Sequence, residues 1–148
     1  MSDDFQQLRA KLDRLKRDAL VAAERKALRS TGEVIREELM TLAPEQAGKA
    51  EGLLAVGELK ASFRSYVRIA RDDKAASGTE DTVVVMPNTK VTRDVLGWLE
   101  RGHAGRTKDA NRTNPRPFVR AAQDAVETKA VDTYREVMTS EIKKAFNE

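Results

Sequence analysis

The chain has 148 residues, with 27 Lys and Arg against 24 Asp and Glu and a net charge of +3. That length fits a single domain, residues 1–148, able to bury a core without disulfide or metal. The absence of cysteine excludes a disulfide framework and a thiolate nucleophile. Apolar runs as short as Val83–Met86 exclude a membrane-spanning helix, and so mild a charge disfavours a dedicated duplex-DNA binder.

Residues 3–43 read as helix, because Phe5, Leu8, Leu12, Leu15, Ala19, Ala23 and Ala27 recur at spacings of three or four. Asp3 and Asp4 suit a helix N-terminus, and an acidic start predicts a cytoplasmic product without a signal peptide. Ser30–Gly32 predicts a break or kink, after which Val34, Ile35, Leu39 and Leu42 resume the period until Ala43-Pro44 ends it. The stripe at Leu8, Leu12 and Leu15 is narrow. It fits either a helix on its own core or a helix–helix seam with a neighbouring subunit.

Residues 53–90 carry the strands. From Leu59 onward Leu59, Ala61, Phe63, Ser65, Val67 and Ile69 alternate with more polar neighbours, the period of a half-buried strand. A polar turn over 71–78 leads to a second strand, Thr82–Met86, stopped by Pro87-Asn88, and the pair predicts an antiparallel hairpin. Such a hairpin is marginal alone and must pack on helices or on a neighbour's strand.

Over residues 91–116 a short helix, Val91–Arg101 with Thr92 as a candidate N-cap, gives way to a basic loop broken by Gly102 and Gly105. Its cations are Arg101, Arg106, Lys108, Arg112 and Arg116, followed by Arg120, with only Glu100 and Asp109 to balance them. They suit either the carboxylates of a protein partner or a phosphate backbone. Residues 117–147 read as a second long helix, with Phe118, Ala121, Ala122, Ala125, Val126, Val131, Tyr134, Met138, Ile142 and Phe146 toward the core. The whole predicts an α+β fold of two long helices on a small antiparallel sheet, with Trp98 and Phe118 largely buried at the two ends of the loop.

The residues give little catalytic chemistry. His103 is the single imidazole and sits among glycines, so a His-based metal site or nucleophile pair has nothing else to build on. Adjacent carboxylates at Glu37-Glu38 and Asp72-Asp73 point apart, and no phosphate-binding glycine motif occurs. No enzyme activity, cofactor or metal is expected.

The order of the motifs carries more. The G-x-L-x-x-S element Gly57, Leu59, Ser62 comes first, then W-x-E-x-G at Trp98, Glu100 and Gly102, then Arg116-Pro117-Phe118 with Ala121-Ala122. This series, spanning residues 53–125, resembles the short tail-completion (head–tail joining, neck) proteins of long-tailed phages. The stretch between Gly102 and Pro115 and the N-terminal helical segment are both longer than the family pattern. The resemblance implies a structural virion protein assembled as a ring of six copies at the head-proximal end of the tail. Tail-tube or terminator proteins would be neighbours on one side and a connector or stopper on the other, with DNA passing through the channel and no membrane involved. It implies assembly in the host cytoplasm and residence in the virion. Leu8, Leu12, Leu15, Arg101, Arg106, Lys108, Arg112 and Arg116 are the candidate interface. The competing reading is a small basic nucleic-acid-binding accessory protein.

Overall fold

A computed structural model describes residues 2–45, 53–68, 81–102 and 115–147; the side chains of 2–5, 8–12, 14–15 and 146–147 lie outside the description. The fold is α+β, in the order α1 Ser2–Leu42, α2 Glu58–Ser62, β1 Phe63–Arg68, β2 Thr82–Pro87, α3 Lys90–Arg101 and α4 Val119–Asn147. The two strands form one antiparallel sheet, with Phe63 opposite Pro87 and Arg68 opposite Thr82.

At 1.5 Å per residue the 41-residue α1 is about 60 Å long. It ends where Pro44 disfavours the helical conformation at the residue before it. α4 runs antiparallel beside it: Ala122 shares a core with Leu39, while Glu141 pairs with Lys26 at 2.7 Å. The buried faces of this pair are mostly small, with Ala23, Ala27 and Leu28 on α1 and Ala122, Val126 and Ala130 on α4. Ala121, Ala125 and Val131, expected in the core, are exposed. The seam follows Ala122, Val126 and Ala130 at i, i+4 and i+8, which turns their neighbours outward.

α1 does not break at Ser30–Gly32. Thr31 is buried within the helix, where its hydroxyl is satisfied by donating to the Ala27 carbonyl at 2.9 Å. Gly32 marks a close approach: a Cβ there would stand 2.7 Å from Val83 Cγ2 and 2.9 Å from Ser65 Cβ. The hairpin crosses α1 at this point. Phe63, Ser65, Val67, Val83, Val85 and Pro87 face inward, and Arg64, Tyr66, Arg68, Thr82, Val84 and Met86 face outward. Asn88 donates to the Ser62 carbonyl, so by ladder parity Pro87 sits on the side of β2 away from β1, where its missing N–H costs no bond.

The strand begins later than the alternation predicts. Leu59, Ser62 and Phe63 are buried at i, i+3 and i+4 while Ala61 is exposed, which is helical spacing, and residues 58–62 form α2. Gly57 starts it at φ 76°, and Ser62 Oγ donates to the Leu59 carbonyl. α3 starts one residue earlier than predicted. Its N-cap is Thr89, whose hydroxyl accepts from the Thr92 backbone N–H, so Thr92 is the third helical residue of a capping box and not the cap.

One cluster joins all these pieces: Leu39, Ala43, Leu54, Leu59, Phe63, Val95, Leu99, Phe118 and Ala122. It lies at the C-terminal end of α1, where α2, α3 and the starts of β1 and α4 meet. No helix among the described residues is long and apolar enough to cross a membrane.

Candidate functional site: the junction of α3 and α4

The motif residues that stand apart in sequence converge where α3 ends. Gly102, at φ 78°, turns the chain and donates its N–H to the Trp98 carbonyl at 2.7 Å. The next carbonyl, Leu99, accepts from the Arg116 N–H at 2.7 Å. Glu100 then closes the junction. One carboxylate oxygen accepts from the N–H groups of Phe118 at 2.9 Å and Val119 at 3.1 Å, the first donors of α4. Those N–H groups have no partner inside their own helix, and a carboxylate there also favours the helix dipole. The first α-helical bond follows, Ala122 N–H to the Phe118 carbonyl, so α4 begins at Val119 and not at Pro117 as predicted. Pro117 keeps Arg116, the residue before it, out of the helical conformation, so the chain reaches α4 without regular structure.

Phe118 is buried, as expected, and meets Phe63 edge-on with ring centroids 6.4 Å apart at 84°. Trp98 is only half-buried, packed on the rim of the core: the deep positions of α3 are Thr92, Val95 and Leu99. A residue one place before Leu99 is rotated about 100° from that face. Gly57 and Leu59, at the other end of the motif series, reach the same core through α2, with Leu59 fully buried.

The chain flanking residues 103–114 is fastened at both ends to one spot, and Arg101 and Arg116 are exposed there. His103, Arg106, Lys108 and Arg112 lie outside the described residues, and so do the side chains of Leu8, Leu12 and Leu15. Among the described residues no group of three metal-ligating side chains occurs.

Electrostatic ties hold the hairpin to the helices. Ser65 Oγ donates to Glu33 at 2.8 Å, and this bond, with one from Arg36, holds the Glu33 carboxyl below its ordinary value. Partial burial pushes the Glu24 carboxyl above 4.5; a hydrogen bond with Asp81 and the Asp81 charge add to this, while the Tyr134 hydroxyl at 3.5 Å opposes it. Burial and the Glu24 charge in turn raise Tyr134. Sequence reading missed the outward stripe Arg64, Tyr66 and Arg68, although the alternation itself placed those residues opposite the buried set.

No protein-family model matches the chain, and no curated protein or solved structure matches it.

Proposed function

We propose that this chain is a structural virion protein, a tail-completion or head–tail joining protein that assembles as a ring of six copies at the head-proximal end of a phage tail. It works by surface complementarity and carries out no catalysis. The reading rests on the ordered motif series and on one observation, the Glu100 carboxylate that ties Trp98–Gly102 to Arg116–Phe118. Residues that would otherwise be scattered resemblances act together to fix both ends of a basic segment. Ends fixed to one spot set where that segment can meet a partner. The Arg106, Lys108 and Arg112 side chains would then meet carboxylates of an adjacent subunit or ring.

Particle joining tests this. Replacing Arg106, Lys108 and Arg112 together with Ser leaves the melting temperature unchanged and lowers the yield of joined particles. Joining at wild-type yield would overturn the reading. So would duplex-DNA binding by the free protein with a steep inverse dependence on salt that the triple variant loses; that result favours the nucleic-acid-binding alternative.

A further inference from the structure

Two surface features remain without a role, and they are complementary. The first is convex. The outward face of the hairpin presents Tyr66, 48% exposed, across from Val84, with Met86 beside them and Arg64 and Arg68 flanking Tyr66 along β1. It carries two cations and no anion. The second is concave. A cleft of about 380 Å³ runs between α1, β2 and α4, walled by Ile35, Leu39, Val83, Val85, Val126 and Val131. Glu127 is its one ionisable lining residue, and Val131 is 43% exposed.

The wall of the cleft also has a polar strip. The parity that places Pro87 away from β1 does the same for Val83 and Val85, so the N–H and C=O groups of these two cleft residues point away from β1. An amphipathic visitor with an apolar body and a hydrogen-bonding tip fits such a wall, and tyrosine and arginine are side chains of that kind.

We propose that the hairpin ridge of one copy docks into the α1–β2–α4 cleft of another, with Tyr66 entering the cleft and Arg68 meeting Glu127. The occupant is a second copy because one partner then covers both features. A nucleic acid would engage Arg64 and Arg68 but leave Val84, Met86 and the cleft wet. A small apolar ligand would fill the cleft and leave the ridge exposed. Ridge and cleft are different patches, so every copy has one to give and one to receive, as a closed head-to-tail ring requires. The docking deepens the ring reading above and rests on it.

The chain has no cysteine, so engineered ones act without background. Chains carrying Val84→Cys, which faces outward directly across from an intact Tyr66, and chains carrying Val131→Cys are mixed and oxidised. An 84–131 interchain disulfide should form at least roughly tenfold faster than an 84–129 disulfide from Lys129→Cys, an exposed residue of α4 pointing away from Val131. In sedimentation of the free protein, Arg68→Glu and Glu127→Arg should each weaken self-association by roughly tenfold, and the two together should restore it. Equal disulfide rates, a monomer that the substitutions do not affect, or a double variant no better than the singles overturns the docking. Particle joining is a separate readout. Docking without joining removes the neck reading, while joining without the 84–131 link removes the docking alone.

Discussion

Gly32 and Gly97 both sit inside helices, and the same change to alanine should act with opposite sign at the two. Alanine is the better helix former by about 1 kcal/mol, a gain available at either position. At Gly97 the nearest atom to an added Cβ is the tip of Arg101, Nη2 at 3.1 Å, which swings aside. Gly97→Ala should therefore stabilise by roughly 0.5–1 kcal/mol. At Gly32 the added Cβ meets Val83 Cγ2 at 2.7 Å and Ser65 Cβ at 2.9 Å. A valine methyl can rotate, but Ser65 Cβ is fixed to its strand, so the hairpin must lift by about half an ångström from α1. That shift pulls on the 2.8 Å bond from Ser65 to Glu33, and overpacking of this kind costs about 1–3 kcal/mol. The cost exceeds the propensity gain, and the net is a loss of roughly 1–2 kcal/mol. Urea unfolding followed by circular dichroism resolves both changes. A Gly32→Ala protein as stable as its parent would show that the hairpin does not ride against α1 at this point.

Glu100→Ala removes the acceptor for the first two N–H groups of α4 and should cost about 0.5–2 kcal/mol, with Glu100→Gln losing less because its amide oxygen still accepts; equal losses for the two would remove the capping role. Glu24 titrates above its ordinary value in the folded protein, so its contribution is fully present below pH 4.5 and is lost as pH rises through the folded value. Glu24→Gln should therefore gain on the parent between pH 4 and pH 7, by under about 1 kcal/mol because the group is partly exposed; a pH-independent difference would argue against the raised Glu24 titration.

Elements with a long repeated period were legible in the sequence, and short ones were not. Over forty residues of α1 an apolar spacing of three and four cannot be mistaken for a strand. Over the five residues of α2 Leu59, Ala61 and Phe63 fit a strand and Leu59, Ser62 and Phe63 fit a helix, and the local bonds around Gly57 and Ser62 decide it. Alanines gave no direction either. Ala121, Ala122 and Ala125 look alike in sequence, and only the path of α1 selects Ala122 for the seam. Glu100 was legible as a motif member but not as a cap, because its partners lie 18 and 19 residues further on. Gly32 read as a weak point in α1 because the strand that needs its missing side chain lies far away in sequence.

A two-stranded sheet is marginal by itself, and here the described ties to α1 come mainly from one face. The contact at Gly32 and the bond from Ser65 to Glu33 hold the inward side to α1. Phe63 and Pro87 add burial at the other end of the pair. On the outward face Arg64 donates to the Ala61 and Phe63 carbonyls and brings its charge near Glu33, while Tyr66, Val84 and Met86 beside it are exposed and open to a partner. This separation predicts the result that the docking test depends on. Substitutions at Tyr66 and Arg68 should move association and leave unfolding where it was, because the chemistry that folds the hairpin and the chemistry that presents it are on opposite sides of the same two strands.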